Sequence, residues 1–424
     1  MLFADVTGST ELGERLDQRT GCSASSRERP RSTGGSTLRS SESAERELRP
    51  ANTPFLRADR SVGSSRVATK RVLTVRALNR AVLARQLLLE RSRLSIPRAL
   101  ERIGGIQAQY APSMYIGLWS RLLGFERSAL TRALHRRTVV QGTLMRATIH
   151  LVSAGDYWPF AVGIRAERRA WWLRVHRAEP DESAHAVAAR RLRRRLARGP
   201  LRRREIQELL GKEAASGVGL WLDLVRVPPS GTWEQRRADL YGSAEDWLGP
   251  EDATPDDALD RLVTRYLAGF GPAPVADIAD WAGLRVRTLG PALDRLTLRR
   301  FVSEDGTELL DVPRAPLPDP ATPAPVRLLP TWDATLLVHA RRAAIVPEPC
   351  RPLIFNTKTP QSLATFLVDG SVAGTWRVER TRDRATLALH RFEPLSRRVE
   401  RELAAEADAM LRWAEPDATT FVVR

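Results

Sequence analysis

Between residues 256 and 310 the chain spells three helices and a hairpin in a fixed order, and no other stretch narrows the fold as much. Asp256 to Phe270 carries helical apolar spacing, and Gly271-Pro272 breaks it. Val275 to Ala282 is a second, short helix closed by Gly283. Thr288 to Leu296 is the third, a candidate recognition helix. Phe301 to Leu310 alternates around Asp305-Gly306, a two-residue hairpin turn. Helix, helix, helix, hairpin is the order of a winged helix.

Two earlier stretches are consistent with the same plan. From Leu73 onward, Leu78, Val82, Leu83 and Leu87 recur at helical spacing. Ser95-Ile96-Pro97 opens a helix whose apolar side is Ala99, Leu100 and Ile103, and Gly104-Gly105 ends it. Further helices are expected over Tyr115 to Leu123 and Ser128 to Arg136. The period then changes to two. Over Thr143 to Val152, Met145, Ala147, Ile149 and Leu151 face one way, and Arg146, Thr148 and His150 the other, as in a half-buried strand. In the second stretch, Arg202 to Leu210 and Leu220 to Val225 read as helices, and Pro228 to Thr232 as a turn at a wing tip.

The expected fold class is therefore α+β. Tandem winged-helix units at 71–184, 185–250 and 251–313 precede a small β-barrel-like domain. Residues 314–325 form a stiff Pro-rich linker. Beyond it, strands are expected at Val326 to Leu329, Thr335 to His339, Leu363 to Val368, Val372 to Val378 and Thr386 to Arg391. Asp369-Gly370 is a turn, and a helix from Ser396 to Trp413 closes the domain. Residues 1–70 read as a disordered extension, because Cys22 to Val62 is rich in Ser, Arg, Gly and Pro and poor in large apolar residues.

The net charge is +17, and its placement matters more than its size. Residues 71–250 hold 32 Arg and Lys against 16 Asp and Glu, while residues 251–424 hold 23 against 25. A GC-rich genome explains why almost every cation is Arg, but not why one segment holds the surplus. A localised positive field attracts a polyanion, most often nucleic acid. The densest run, Arg190 to Arg204, includes Arg193, Arg194, Arg202 and Arg203, which are candidate phosphate contacts. A solvated helix face accounts equally well for any one of them. Two cysteines, Cys22 and Cys350, exclude a disulfide scaffold and a four-thiolate zinc site. No metal and no cofactor is expected. No stretch has the length of a membrane span and the start is not a signal peptide, so a cytoplasmic, nucleoid-associated protein is expected.

One motif stands apart from the fold. In Gly104-Gly105-Ile106-Gln107-Ala108-Gln109-Tyr110-Ala111-Pro112 two glutamines flank a small residue. In a helix, residues two apart point about 200° apart. In extended backbone they point the same way. The flanking Gly and Pro favour extended backbone, so Gln107 and Gln109 can address one point. The plain alternative is a pair of solvated or capping residues, and spacing alone does not exclude it.

These residues bring a family into view. The stretches Gly105 to Gln109, Tyr115 to Arg121, Met145 to Val152, Val225 to Trp233, Tyr266 to Pro272 and Leu367 to Arg377 resemble, in order, the AlkZ-type winged-helix DNA glycosylases. The resemblance covers about residues 71 to 415. It implies a concave DNA-binding face, excision of alkylated bases, and unhooking of interstrand crosslinks. The family's catalytic signature is Gln, a hydrophobic residue, then Gln or Asp. Gln107 and Gln109 match its two-Gln form, the one associated with crosslink unhooking. The family's strand motif usually has Gly where Ala147 stands. The opening Leu2 to Asp17 resembles instead the first strand of a class III nucleotidyl cyclase, in which the residue matching Asp5 binds a metal. That likeness ends near residue 20, and one strand cannot assemble a two-metal site.

The chemistry is coherent with two amides. An alkylated purine already bears positive charge and leaves without protonation. The protein then has only to place a water and stabilise an oxocarbenium-like sugar. Gln109 is expected to orient the water and Gln107 to assist it or contact the sugar. Arg146, Thr148 and His150 would contact phosphate or the lesion strand, or form an ordinary solvent-facing wing; His150 is alternatively a structural hydrogen-bond donor. Trp119, Trp158, Trp171 and Trp172 are possible stacking residues for a flipped base, with Trp119 read as core. No lysine lies near the motif, which argues against a Schiff-base lyase. The expected partner is double-stranded DNA with alkylated purines, bound by a monomer. The alternative is a non-enzymatic winged-helix DNA binder or transcriptional regulator.

Overall fold

The computed structural model describes residues 71–176, 181–336, 340, 342–355 and 362–424. The expected disordered extension and its cyclase-like fragment (1–70) lie outside them, as do 337–339 of the strand expected at Thr335 to His339. Thr335 and Leu336 themselves are in a turn.

Among the described residues the chain is a mixed α and β assembly with three sheets. It opens with β1 (Val72–Leu73) and α1 (Val75–Arg85), which Thr74 caps by accepting a hydrogen bond from Ala77 N–H. In α2 (Ile96–Ile103), Pro97 occupies the first turn and Gly104 caps the end in the left-handed region. Gly105 follows, also left-handed at φ 80°, where a Cβ would press on Val152 and the Leu151 carbonyl. That pair of glycines turns the chain into β2 (Ile106–Gln107), which lies against β4 (Ile149–Ser153). Helices α3 (Ala111–Trp119) and α4 (Arg127–His135) follow. The first starts four residues before the expected Tyr115, because Pro112 seeds its first turn.

The expected strand over Thr143 to Val152 is instead the tip and return of a hairpin. Strand β3 (Val139–Thr143) ends where a single tight turn, Met145–Ala147, reverses the chain into β4. Leu144 and Met145 are buried, and Arg146 and Ala147 both have positive φ, 54° and 58°. The alternation was real, but long-range burial of Leu144 and Met145 overrides the extended backbone it suggests. Ala147 thus takes a conformation that glycine adopts at lower cost.

Helix α5 (Ala154–Val175) is capped by Ser153, and α6 (Glu182–Leu196) by Asp181. Then come β5 (Leu201–Arg202), α7 (Arg203–Leu210), α8 (Lys212–Gly217), β6 (Leu224–Arg226), β7 (Leu240–Ser243) and α9 (Ala244–Leu248). The apolar helix expected over Leu220 to Val225 is a 3₁₀ turn, Val218–Leu220, followed by β6. Val225 is wholly buried in a sheet rather than on a helix face. Pro228 to Thr232 does lie in the β6–β7 connection, but Ser230 and Thr232 are buried and Gln141 donates to the Gly231 carbonyl, so this is no exposed tip. The six-stranded sheet runs β2-β4-β3-β6-β7-β5, continuous across residues 184 and 185.

The expected order over 256–310 is present. It runs α10 (Pro255–Phe270), α11 (Val275–Ala282), a 3₁₀ turn leading into α12 (Gly290–Arg295), then β8 (Arg299–Ser303) and β9 (Glu308–Asp311). The hairpin gains a third strand: β1 pairs in parallel with β8. Residues 313–325 carry no regular structure, yet they are strapped down. Arg76, Arg80 and Arg85 of α1 donate to the carbonyls of Pro320, Thr322 and Pro316.

The last sheet runs β10-β11-β12-β13-β14, from Arg327–Leu329, Thr365–Val368, Ser371–Arg380, Arg384–Arg391 and Thr420–Val423. Its order is linear, with β10 and β14 at the edges. Asp369-Gly370 makes the β11–β12 turn, both residues at positive φ. Helix α13 (Arg351–Ile354) lies between β10 and β11 in the sequence, and α14 (Arg397–Ala414), capped by Ser396, buries Leu403, Ala407, Met410 and Leu411. Those residues share one core with Leu100, Tyr115 and Leu118 of the first helices. Trp119, Trp158 and Trp172 are buried and belong to cores or aromatic clusters.

Candidate active site

The two glutamines sit where α2 gives way to β2. Gln107 is the register partner of His150, and the ladder continues as Ala108 N–H donates to the Ile149 carbonyl at 2.7 Å. Side chains alternate along a strand and cross-strand partners share a face. Gln107 and His150 therefore share one face; Gln109 lies just past β2, in a bend rather than in the extended backbone expected for it.

Gln107 is 3% exposed, and its Oε1 accepts a hydrogen bond from Arg146 Nη2 at 3.0 Å. That fixes the carboxamide, with its N–H groups directed away from Arg146. Gln109 is half-buried, but its Oε1 is fully buried and meets no hydrogen-bond donor among the described residues. One amide is clamped and the other offers an open acceptor.

Arg146 does not share a strand face with Thr148 and His150, as the alternation suggested. It projects from the left-handed turn, and its second nitrogen donates to the Trp281 carbonyl at the end of α11. A cation at a helix C-terminus is favourably placed. Gly283, left-handed at φ 76°, lets α11 end there: a Cβ would stand 3.1 Å from the Arg146 backbone nitrogen. Burial lowers the Arg146 pKa to about 10, with Tyr266 and Asp280 opposing and Arg342 adding to the shift.

His150 is 3% exposed, and its Nδ1 lies 3.0 Å from the Thr148 carbonyl, so Nδ1–H donates and Nε2 carries the lone pair. Burial, with Arg146 and Arg168 nearby, pushes its pKa down to about 3 against the opposing pull of the Thr148 carbonyl. The imidazole is neutral at any working pH and has no charge to offer a phosphate. Of the two readings of His150, the structural donor matches this hydrogen bond.

The arginines of the dense run are not gathered here. Arg193 and Arg194 are exposed on α6, and Arg202 and Arg203 stand at the β5–α7 junction. These elements enclose a separate small core around Leu192, Leu196 and Ile206. Arg193 pairs with Glu245 at 2.7 Å and Arg202 with Asp239 at 2.9 Å.

Local sequence reading missed one neighbour of the site, Trp281, whose carbonyl accepts from Arg146. Arg236, from the β6–β7 connection, donates to the Tyr110 hydroxyl at 3.2 Å. The α11 carboxyl that acts electrostatically on Arg146 is Asp280, whose pKa burial raises and Arg146 lowers. Among the described residues no group of three His, Cys, Asp or Glu is placed to hold a metal ion, and no helix is long and apolar enough to cross a membrane.

The end of β2 thus carries an amide clamped by an arginine, a second amide two residues on whose buried oxygen has no donor among the described residues, and a neutral imidazole. The family model for AlkZ-like DNA glycosylases matches residues 100–413. This chain belongs to that family, and with it to the hydrolases that cleave N-glycosyl bonds in DNA. A curated relative, an interstrand DNA cross-link repair glycosylase of Streptomyces sahachiroi, is 23% identical over 325 residues, covering 69% of this chain and 85% of its own. The solved structure of the Streptomyces sahachiroi DNA glycosylase AlkZ matches with a TM-score of 0.69 at 17% identity, over 83% of this chain and 99% of the other.

Proposed function

We propose that this DNA glycosylase releases purines that alkylation has made cationic, with Gln109 orienting the attacking water and Gln107 supporting it or the sugar. The observation that carries this reading is the pairing of a clamped carboxamide, Gln107 on Arg146, with the buried, unsatisfied Oε1 of Gln109. A water placed on Gln109 Oε1 donates one hydrogen to it and keeps a lone pair for C1′.

The bond changes balance without a strong acid or base. The C1′–N bond breaks and its electron pair neutralises the positively charged purine. Water oxygen then bonds to C1′ of the oxocarbenium-like sugar. The protonated hydroxyl so formed is strongly acidic and gives its proton to solvent. Neutral groups suffice at each step, and a neutral purine, which needs protonation to leave, is a poor substrate.

The finer architecture belongs to the same proposal. Residues 71–184, 185–250 and 251–313 act as tandem winged-helix units around one DNA-binding face. The five-stranded sheet with α14 across it is the barrel-like unit at 326–424, and 314–325 links the two. The partner is duplex DNA with alkylated purines, including crosslinked ones as the relative's name suggests, and the chain acts as a monomer. The direct test is base release from duplex DNA carrying 7-methylguanine. Gln109→Ala should lose about 10²- to 10³-fold in rate, the scale for removing one positioned polar group from an active site. Unchanged release would remove Gln109 from catalysis.

A further inference from the structure

Away from the glutamines, a cavity opens between α5, the α7–α8 region and the β6–β7 hairpin, with about 750 Å3 of empty space, part of it open solvent. Three arginines line it, Arg168, Arg203 and Arg226, and two of them, Arg168 and Arg226, meet at Thr143. Arg226 is 4% exposed and donates to Thr143 Oγ1 at 2.7 Å, while Arg168 donates to the Thr143 carbonyl at 2.9 Å. The Nε of each is buried and meets no acceptor among the described residues. Neither forms an ion pair there. The one carboxylate in the lining, Asp223, is taken by Arg165 at 2.8 Å.

This arrangement is unlike that of two wholly buried arginines, Arg85 and Arg121. Arg85 lies on Asp311 and Arg121 on Asp333, each with two hydrogen bonds to its carboxylate. Withdrawing a guanidinium from water costs several kcal/mol unless a counter-charge returns it. Burial lowers the Arg168 pKa to about 10, with Asp223 and Tyr157 opposing and Arg226 adding to the shift, which is the signature of cations short of an anion. Tyr241, 5.1 Å from the Arg226 guanidinium, forms a flat wall.

We infer that the cavity beside Thr143 is a binding site for a phosphate group, held by Arg168 and Arg226 from two sides. The group is presented either by a small phosphate monoester or by the backbone of a DNA strand. Bidentate guanidinium–phosphate geometry suits the paired arginines. Ser216 and Gln207 lie in the same lining, which gives the remaining phosphate oxygens donors.

The test uses the whole chain in phosphate-free buffer, and reads binding rather than base release, so it stands or falls apart from the glycosylase proposal. Inorganic phosphate and 5′-deoxyadenosine monophosphate, each at ~10 mM, should raise Tm by a few degrees and broaden the ³¹P resonance of the added phosphate. Arg168→Gln should abolish both responses, and Arg168→Lys should weaken them. In the absence of phosphate, Arg168→Gln should melt no lower than wild type, because it removes an uncompensated charge. Undamaged duplex DNA separates the sources. A roughly tenfold loss of duplex affinity in Arg168→Gln marks a strand phosphate, and an unchanged affinity marks a small monoester. No ³¹P or thermal response in wild type, or an equal response in wild type and Arg168→Gln, would overturn the site.

Discussion

Two sets of arginines divide the molecule. Arg85 and Arg121 are each met by a carboxylate, Asp311 and Asp333, more than 200 residues away in sequence. Arg146 is met by a carboxamide and a backbone carbonyl instead. The first set ties distant segments together with its charge cancelled. The second orders a neutral side chain, Gln107, with no carboxylate against it among the described residues. One residue type thus serves cohesion where its charge is cancelled, and fixes a neutral side chain where it is not.

The contrast is most sharply broken at Arg121. Arg121→Ala leaves Asp333 buried without a counter-charge, its other partner being the uncharged Thr335, and should cost about 3–5 kcal/mol in denaturant unfolding. A loss below about 1 kcal/mol would show that the pair is not what joins α3 to the C-terminal sheet region. Arg146→Met should do the opposite. We expect kcat for 7-methylguanine release to fall about 10- to 100-fold with KM and melting temperature little changed, since Gln107 loses its clamp but no carboxylate is stranded. A rise in KM alone would make Arg146 a substrate-binding residue, not a positioning one.

A smaller effect follows from His150. Its folded pKa of about 3 lies below the unfolded value of about 6.5, so below pH 6.5 the unfolded chain takes up a proton that the folded chain refuses. The stability it confers is complete above pH 6.5 and declines at about 1.4 kcal/mol per pH unit as the pH falls towards 3. His150→Leu should remove that part of the slope. An equal slope in both proteins between pH 6 and 4 would place the titration elsewhere. The smallest expected change is at the surface. Arg194→Gln should reduce the salt dependence of duplex binding by about one unit of slope, and Arg193→Gln by less, because Glu245 already holds Arg193.

The parts of the fold that were legible in the sequence carry local stop signals. Ser95, Pro97 and Gly104 bound α2, Asp369-Gly370 sets the β11–β12 turn, and Ser396 starts α14. The illegible parts depend on distant partners. Strand β1 is two residues long and has meaning only beside β8, and β14 only beside β13. The turn at Arg146 and Ala147 departs from the period-two pattern because Leu144 and Met145 enter a core shared with residues 262 to 310. The same division holds at the site. The glutamine pair could be read from Gly104-Gly105 and Pro112, but nothing local joins Arg146 to Gln107 or to Trp281, 135 residues on. Arginine density pointed to α6, whereas half-buried Arg146 and Arg168 and buried Arg226, which form no ion pair among the described residues, are set apart from that run.

The central claim is that two neutral amides suffice when the departing base is already a cation. One duplex carrying 7-methylguanine and a second carrying O6-methylguanine at the same position separate charge from the presence of a methyl group. The account expects the charged base to be released by wild type and retained by Gln109→Ala, with the neutral base retained by both. Release of the neutral base at a comparable rate, or of neither, would contradict it.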